Sequence, residues 1–535
     1  MARIMRERTS GGTMSIIGFK EKMKIRVIDL FAGPGGLGEG FASYGGGDVF
    51  SIAASAEMEA SAHSTLTLRA FYRLAKRDER ALKAYYDYCN YDGAPHPSQV
   101  CKSVWQVAQD EALQLELGKE ADNAFLDAAL ERQQLNEDRT ILIGGPPCQA
   151  YSLVGRARNR GLKDYVPEHD HRHYLYQQYL RIVHRYRPAI FVMENVKGIL
   201  TSSVGGKRVF HEILKDLADP GRAVGQGSGV KYRIHSLVDP VYFDSGHDPA
   251  EFNSQKFVIR SEQHGIPQAR HRVILFGVRE DIPLERTGML QFGMPLVIED
   301  AIRDLPKLRS RLSKADNAAD WRNSVLFQAS GLIGSANVSE DQTVRRAREV
   351  MIGARSGLID TESFGALRLP RMEAQEIVTK SGYRSWIEDS RLEVVLNHES
   401  RGHMESDLGR YFYAAAYAQG NEHSPKGHEE FSLPGLAPMH ANWETGKFKD
   451  RFRVQIRGKP STTITSHIAK DGHYFIHYDP TQCRSLTVRE AARLQSFPDN
   501  YFFQGTRTQQ YHQVGNAVPS YLANQIAHVV SQTLS

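Results

Sequence analysis

The chain has 535 residues, of which 41% are hydrophobic and 24% charged, with a formal net charge of +5. This length accommodates two or three domains with full cores, and no apolar run approaches the ~20 residues of a membrane span. Four dispersed cysteines without Cys-x-x-Cys spacing exclude a disulfide framework and argue against a cysteine-rich zinc site, while the positive charge is compatible with nucleic acid without demonstrating it.

Residues 1 to about 23 are polar and lack periodicity, which predicts a loose arm. Their basic start has no apolar core or cleavage site behind it, so no signal peptide is predicted. We therefore expect a cytoplasmic protein.

The first predicted strand, Lys24–Phe31, leads into a glycine-rich turn. Gly33, Gly35 and Gly38 fit the pattern G-x-G-x-x-G. Strand, glycine turn and helix in succession are typical of nucleotide-type cofactor sites, because glycines let the backbone approach a ligand and the helix presents its N-terminal amides. The same pattern also occurs in purely structural turns.

The second predicted strand, Val49–Ala56, ends at Glu57 and Met58. An acid at this position can accept hydrogen bonds from ribose hydroxyls, and the next side chain can cover an adenine face. Glu57 is otherwise a solvated charge at a strand end. Both a nicotinamide dinucleotide and S-adenosylmethionine are compatible with this pattern.

A helix-rich, charged stretch follows from 61 to 140, and then an apolar strand ends in Gly144-Gly145-Pro146-Pro147-Cys148. The glycine and proline torsions stop the strand abruptly and deliver a thiol at its carboxyl end, where α/β enzymes keep reactive groups. The alternative is an inert buried cysteine in a turn.

The segment 153–161 is basic and bounded by glycine, as expected of a loop that closes over an anionic substrate or, alternatively, of a plain surface loop. His169, His171 and His173 lie nearby without helical ligand spacing. No metal site is predicted from them.

A helix is predicted over Leu175–Arg187 and a buried strand over Pro188–Met193, ending in Glu194-Asn195-Val196. In a doubly wound sheet, Glu194 shares the edge of Cys148. A carboxyl at such a partly desolvated edge can hold its proton and act as an acid, whereas a structural carboxylate capping a helix is the alternative.

Residues 231–280 predict further sheet. Arg270 and Arg272 lie two apart, so on a strand they share a face, where two guanidiniums suit a carbonyl, a phosphate or a carboxylate. Salt bridges to neighbouring strands are the alternative.

From about 285 to 480 the apolar strands thin out. Basic clusters (Arg303, Lys307, Arg309 and Arg311; Arg345, Arg346 and Arg348) alternate with polar loops, which predicts a loop-rich domain that reads a macromolecule, although each cluster singly suits a solvated helix face. Residues 484–495 then predict an amphipathic helix capped by Thr487, and Gly515-Asn516 a turn before a final helix.

Together these segments resemble the cytosine-5 DNA methyltransferase family of the bacterial modification type. The resemblance is carried, in order, by DLFAGPGG (29–36), GGPPCQAYS (144–152), ENVKG (194–198), QARHR (268–272), RSLTVREAARLQ (484–495) and QVGNAVP (513–519). It implies a Rossmann-like doubly wound α/β catalytic domain over 1–285, completed by 485–535, and a smaller irregular target-recognition domain over 286–484.

The resemblance also implies the chemistry. Cys148 adds as a thiolate to carbon 6 of a flipped-out cytosine, Glu194 acts as an acid at ring nitrogen 3, and Arg272 holds the 2-carbonyl oxygen. Arg270 is expected to support the catalytic loop or the substrate backbone. The activated carbon 5 then takes the methyl group, a base removes its proton, and Cys148 leaves.

The same resemblance places S-adenosylmethionine, with S-adenosylhomocysteine as product, in a site lined by eight residues: Phe31, Gly33, Gly35, Gly36, Glu57, Met58, Pro147 and Asn516. Two departures from the family stand out. Met58 replaces the usual aromatic, and the acid expected after the third strand has no evident counterpart, since the local candidate 101–104 offers no carboxylate.

We therefore expect a monomeric, nucleoid-associated enzyme that methylates one short sequence of double-stranded DNA, with a separately encoded restriction endonuclease as its partner. Three alternatives remain: a DNA-binding paralogue that has lost catalysis, a nicotinamide-dependent oxidoreductase, and a member of the RNA-methylating branch. An oxidoreductase would give no function to Pro-Pro-Cys and Glu-Asn-Val. The long predicted recognition region argues against the RNA-methylating branch.

Overall fold

The computed structural model of the chain describes residues 24–147, 173–204, 206–358, 362–371, 382–438, 443 and 451–535. Its strands are β1 (Ile25–Leu30), β2 (Phe50–Glu57), β3 (Ala112–Gln114), β4 (Thr140–Gly144), β5 (Ile190–Val196), β6 (Ser203–Val204), β7 (Lys207–Arg208), β8 (Tyr232–His235), β9 (Tyr242–Phe243), β10 (Val258–Arg260), β11 (Gln268–Ala269), β12 (His271–Arg279), β13 (Arg311–Leu312), β14 (Gly365–Pro370), β15 (Val394–Glu399), β16 (Gly402–His403) and β17 (Ser461–Thr462).

The α-helices are α1 (Gly36–Ser43), α2 (Ala60–Ala75), α3 (Glu79–Asn90), α4 (Pro97–Val100), α5 (Lys102–Glu111), α6 (Glu120–Arg132), α7 (His173–Tyr186), α8 (Val209–Ala218), α9 (Pro220–Ala223), α10 (Ile298–Ile302), α11 (Ala318–Asn337), α12 (Gln342–Ser356), α13 (Gly382–Ile387), α14 (Glu405–Asn421), α15 (Gly427–Glu430), α16 (Val488–Leu494), α17 (Arg507–Asn516) and α18 (Ser520–Thr533). Short 3-10 turns lie at Tyr44–Gly47, Glu137–Arg139, Lys197–Thr201, Pro249–Glu251, Ser254–Phe257, Ser261–His264, Leu284–Arg286, Ser466–Ala469 and His473–Phe475.

One large sheet organises the molecule, with strand order β3-β2-β1-β4-β5-β12-β8-β9 and β10 paired to β12. The strands from β3 to β5 are parallel, and β12 adds to β5 in the antiparallel direction. This confirms the predicted doubly wound α/β class. In the part of the chain described above, no helix is long and apolar enough to cross a membrane.

The parallel strands feed two cores, because neighbouring side chains on a strand point to opposite faces. Ile28 and Leu142 belong to the core covered by α7 and α8. Val27, Ile141 and Ile143 belong to the core covered by α1 and α18. Burial on both faces is what the uninterrupted apolar runs of these strands predict.

The region after β12 is more helical than the sequence analysis predicted. The helices α11, α12 and α14 share a core of their own. On α11 the buried residues Trp321, Val325, Ala329 and Leu332 recur every three or four positions, as one helix face requires. Small and polar residues between them obscure this period, so the prediction of a loop-rich build was wrong for these helices.

The segment 484–495 is helical as predicted, and Thr487 caps α16 in a reciprocal capping box with Glu490. The prediction of an amphipathic helix was wrong, because every residue of α16 is buried. Two of its three charged residues form ion pairs: Arg484 binds both carboxylate oxygens of Glu490 at 2.7 Å, and Arg493 lies 2.8 Å from Asp499. The third, Arg489, donates to the backbone carbonyl oxygens of Leu396, Pro498 and Tyr501. Buried charges need such partners.

Candidate functional site

Three segments with predicted functional residues meet at one edge of the sheet. β1 pairs in parallel with β2 on one side and β4 on the other, so a crevice forms outside the carboxyl ends of these strands, where open α/β sheets bind ligands. Gly144 of β4 lies opposite Leu30 of β1 and Met193 of β5. The residues next in the chain, Gly145 and Glu194, therefore share this edge.

Glu194 and Arg272 form an ion pair at this edge. The Nε of Arg272 lies 2.8 Å from Oε1 of Glu194, and the two side chains are 15% and 14% exposed. Antiparallel pairing of β5 with β12 brings them together, with Arg272 opposite Val196. A guanidinium donates to carbonyl oxygens and a carboxyl exchanges a proton with a ring nitrogen, so the pair matches an amide-like edge of a heterocycle.

Gly145 packs directly against this carboxylate. A methyl group added at Gly145 would lie 3.1 Å from Oε2 of Glu194 and 3.7 Å from its carbonyl oxygen. That spacing is tighter than an ordinary van der Waals contact, so a larger residue has to displace the Glu194 side chain. The glycine therefore has a physical role beyond turn formation.

We expect Gly145→Ala to lower the activity predicted for this site about tenfold without a matching loss of stability. Moving the Glu194 carboxylate by a few tenths of an ångström disturbs its 2.8 Å pair with Arg272, and misplaced catalytic groups cost about this much or more. Steady-state rates and thermal unfolding measure the two effects. Gly331→Ala is the control, since a methyl group there meets nothing within 4 Å; equal activity in both variants would contradict the close approach.

Several predicted site residues lie outside the described part of the chain. They are Cys148 and the basic segment 153–161; His169 and His171, from which no metal site was predicted, lie outside it as well. Pro147 is the last described residue before Cys148 and is half-buried. Their predicted roles stay predictions.

The first glycine turn follows β1 directly and contains three left-handed residues. Gly33 has φ 58° and Gly35 φ 95°, and Phe31, with φ 58°, adopts this conformation despite its side chain. A bulky residue with positive φ is strained, and such strain concentrates at functional sites. A side chain at Gly33 would meet nothing within 4 Å, so there is open space beside the turn.

Glu57 at the end of β2 braces this turn. Its Oε2 accepts the N–H of Gly33 and its Oε1 accepts the N–H of Glu59, both at 2.8 Å. Burial raises the pKa of Glu57, and these backbone hydrogen bonds oppose that shift. Each oxygen keeps a second lone pair for a ligand hydroxyl. The next residue, Met58, is 58% exposed.

The other predicted cofactor residues differ in their surroundings. A side chain at Gly35 would collide with Leu66, and one at Gly36 would lie 2.5 Å from the carbonyl oxygen of Val518, so both glycines allow close packing within the protein. Asn516 is exposed at the end of α17. Gly515 and Asn516 thus close a helix rather than forming the separate turn that was predicted.

Asp29 of β1 is a buried acid that sequence reasoning missed, although an acid inside an apolar strand was a visible signal. It is 1% exposed, and neither carboxylate oxygen has a hydrogen-bond partner among the described residues. Burial raises its pKa to about 8; Arg73 opposes this shift, while Glu57 and Glu111 add to it. The folded state therefore favours the neutral carboxyl.

We expect Asp29→Asn to remove a pH-dependent loss of stability. The pKa of Asp29 is higher in the folded state than in the unfolded state. Below about pH 4 the carboxyl is neutral in both states, so it costs no stability, whereas the free energy of unfolding falls as the pH rises from there towards 8. The asparagine side chain cannot ionise, so the free energy of unfolding of the variant should rise relative to that of the wild type by about a few kcal/mol across this pH range. Urea unfolding of both proteins at pH 5 and pH 8.5 measures this; parallel pH profiles would contradict it.

The third strand is not where the sequence analysis looked for it. Residues 102–111 form the helix α5, and β3 follows at Ala112–Gln114, paired with the end of β2. Three residues are too short for a periodic signal. An acid does follow this strand, since Glu116 lies two residues beyond it, where it pairs with Lys119 at 2.6 Å.

Arg270 and Arg272 have different partners. Arg270 precedes β12, is 2% exposed, and donates to the carbonyl oxygens of Ile464 at 2.7 Å and Gly515 at 3.3 Å. Burial lowers its pKa, with Arg272 adding to the shift and Glu194 opposing it. The described contacts of Arg270 thus reach the segment around Ile464 and the end of α17.

The first basic cluster of the region after β12 is largely paired. Arg309 is 3% exposed and lies 2.7 Å from Asp316, Arg311 lies 3.6 Å from Glu399, and Lys307 lies 3.2 Å from Asp479. These pairs favour a structural role for this cluster. Arg345, Arg346 and Arg348 lie on α12.

Comparison with known proteins adds to this geometry. A family model described as C-5 cytosine-specific DNA methylase matches residues 104–231 and 247–532. A type II methyltransferase of Bacillus paralicheniformis is 34% identical over 532 residues, covering 95% of this chain and 99% of the relative. A type II methyltransferase of Thalassovita gelatinovora is 26% identical, covering 96% and 100%. A DNA (cytosine-5-)-methyltransferase of Aeropyrum pernix is 24% identical, covering 74% and 82%.

Among solved structures, a candidate DNA modification methyltransferase encoded within a prophage of E. coli superposes with a TM-score of 0.50. The two chains are 19% identical, and the match covers 95% of this chain and 98% of that one. At this identity the likeness concerns the fold.

Proposed function

The chain belongs to the C-5 cytosine-specific DNA methylase family, and from this premise we propose that it transfers a methyl group from S-adenosylmethionine to carbon 5 of a cytosine within one specific sequence of double-stranded DNA. The type II names of its relatives support a place in a restriction–modification system, as the modification enzyme. A separately encoded endonuclease is then the expected partner.

The pairing of Glu194 with Arg272 beside Gly145 carries this proposal. The pair offers a proton-exchanging carboxyl and a guanidinium 2.8 Å apart, which suits ring nitrogen 3 and the 2-carbonyl oxygen of cytosine. Gly145 and Pro147 continue the same edge towards the cysteine at the next position.

In the proposed mechanism, Cys148 adds as a thiolate to carbon 6 of the base. Electron density moves towards ring nitrogen 3, where Glu194 supplies a proton or hydrogen bond, while Arg272 holds the carbonyl oxygen. This addition turns carbon 5 into a nucleophile. After carbon 5 is methylated and loses its proton, the bond to Cys148 breaks and the thiolate is released.

The methyl donor is proposed to bind beside the first glycine turn. Open space at Gly33, the braced carboxylate of Glu57 and the exposed Met58 fit a ribose and an adenine, and Phe31 and Asn516 complete the set. When bound, S-adenosylmethionine supplies an electrophilic methyl group. Met58 in place of an aromatic can cover adenine through its polarizable thioether.

Because the reacting carbons are stacked inside a duplex, the target cytosine has to be extruded, at a cost of about a few kcal/mol. We propose that residues 286–484 form the target-recognition domain that reads the flanking bases. Loops there and on 153–161 would contact phosphates. The site sequence is found by mapping methylated cytosines in host DNA that carries this chain.

Transfer of a labelled methyl group tests the function. Purified protein is incubated with methyl-labelled S-adenosylmethionine and, separately, with unmethylated double-stranded DNA or with RNA. Label in DNA as 5-methylcytosine is the expected result. DNA binding without transfer would support an inactive paralogue, label in RNA the RNA-methylating branch, and binding of NAD without affinity for S-adenosylmethionine an oxidoreductase.

A further inference from the structure

A buried network of polar side chains links the residues just before Arg272 to the segment 514–518, which carries the predicted cofactor residue Asn516. Its members are Gln268, Arg270 and Gln495, of which Gln268 and Gln495 are fully buried. In the sequence, Gln268 is the first residue of the motif QARHR and Gln495 the last residue of RSLTVREAARLQ, and neither was predicted to have a role. Gln268 and Gln495 lie far apart in the chain, so only the fold brings them together.

Gln268 lies two residues before Arg270, at the start of the short strand β11. Its amide nitrogen donates to the carbonyl oxygen of Leu494 at 3.0 Å and to Oε1 of Gln495 at 2.8 Å. Its amide oxygen accepts the N–H of Ile464 at 2.7 Å. Both donors are used, so the side chain is held in one orientation.

Gln495 connects Gln268 to the segment around Asn516. Its amide nitrogen donates to the carbonyl oxygen of Val514 at 2.8 Å and to that of Ala517 at 3.2 Å. These two carbonyls flank Gly515 and Asn516. The pair of donors therefore fixes both ends of the segment that presents Asn516.

Arg270 holds the same segment from another side. It donates to the carbonyl oxygen of Gly515 at 3.3 Å through both terminal nitrogens, and to that of Ile464 at 2.7 Å. Gly515 itself packs so closely on the backbone of Thr465 and Ser466 that a methyl group there would lie 2.3 Å from the N of Ser466. No other residue fits this position without movement.

The segment then touches the first glycine turn. A side chain at Gly36 would lie 2.5 Å from the carbonyl oxygen of Val518 and 3.3 Å from the Cβ of Ala517. A displacement of 514–518 is therefore transmitted to the turn. The contacts form a continuous path from Gln268, four residues before Arg272 in the chain, through Gln495 and the segment 514–518 to Gly36.

We propose that Gln268 and Gln495 are positioning residues that fix the Asn516 segment against the first glycine turn, and so set the methyl donor at its distance from the base held by Arg272. This inference rests on the proposed function of that site. Neither glutamine touches a reacting atom in this scheme. Buried amides with every donor satisfied resist slippage, because each alternative position leaves a buried polar group unpaired.

Gln495→Met tests the proposal, since methionine has a similar size but no donor for the carbonyls of Val514 and Ala517. We expect the dissociation constant for S-adenosylhomocysteine, measured by calorimetry without DNA, to rise about tenfold. The KM for S-adenosylmethionine should rise in parallel, while the KM for DNA stays unchanged. A general loss of folded protein would lower kcat without this selective change.

Gln482→Met is the matched control. Gln482 is also buried, and its oxygen accepts hydrogen bonds from Arg484 and from the N of Leu308, neither of which belongs to the Asn516 segment. This variant should lose stability but keep wild-type affinity for S-adenosylhomocysteine. Weakened affinity in both variants, or in neither, overturns the proposal.

A double variant completes the test. If Gln495 acts by placing the Asn516 segment, then the loss of S-adenosylhomocysteine affinity in Gln495→Met combined with Asn516→Ala should be smaller than the sum of the two single losses. Additive losses would overturn the proposal. Wild-type protein that fails to bind S-adenosylhomocysteine or to methylate DNA would instead refute the proposed function, so the two failures are distinguishable.

Discussion

Replacing Cys148 with serine should abolish methyl transfer while leaving DNA binding intact. A serine hydroxyl ionises far less readily than a thiol and is a much weaker nucleophile at neutral pH, so carbon 6 of cytosine is no longer attacked. We expect a loss of roughly 10⁴-fold or more in kcat, as is common for removal of a catalytic nucleophile. Transfer of labelled methyl groups and a DNA gel-shift assay measure the two properties.

Cys101→Ser is the control for this experiment. Cys101 is a buried free cysteine between α4 and α5, and its loss should leave turnover within a fewfold of wild type. Turnover in Cys148→Ser at the wild-type rate would rule out thiolate addition. Loss of DNA binding in that variant would indicate damage to the fold instead.

Replacing Glu194 with glutamine should lower kcat by about 10²–10⁴-fold. The amide keeps the size of the carboxyl but cannot deliver a proton to ring nitrogen 3, and general acid catalysis contributes roughly this factor. The change also removes the 2.8 Å ion pair with Arg272. We therefore expect the KM for DNA to rise as well, which steady-state kinetics at varied DNA concentration would measure.

The matched control for Glu194 lies in the 3-10 turn Ser261–His264, directly after β10. Glu262 is also partly buried, at 23% exposed, and pairs with His271 at 2.8 Å. Glu262→Gln removes a comparable carboxylate and leaves the Glu194–Arg272 pair in place. It should change kcat by less than about threefold, because substitutions away from such pairs have small effects. Similar losses of kcat in the two variants would contradict a catalytic role of Glu194.

Local patterns in the sequence predicted the parts of the site that each depend on a few neighbouring residues. The glycine turn after the first strand, Glu57 at the end of the second and the helix cap at Thr487 are all present in the structure. Each is set by strand ends, glycine torsions or a side-chain cap, whose causes lie within a few positions of each other.

Features set by distant contacts could not be read in this way. The burial of α16 depends on packing against α10, α17 and β15, and the link from Gln268 to Gln495 joins two motifs that the chain keeps apart. The roles of Cys148, the arginines and the proposed domain boundary near 285 remain predictions. The short strand β3 lacked any period to detect.

The packing of α18 on α1 ties the start of the fold to residues made late in synthesis. Gly40 lies so close to Ala523 that a methyl group there would be 2.3 Å from its Cβ, and the amide of Asn524 donates to the carbonyl of Gly40. A ribosome adding about 5–20 residues per second needs roughly 25–100 s to travel from one helix to the other. Throughout that interval α1 lacks the helix that covers it, so translation time sets the earliest moment at which a new chain can complete this packing.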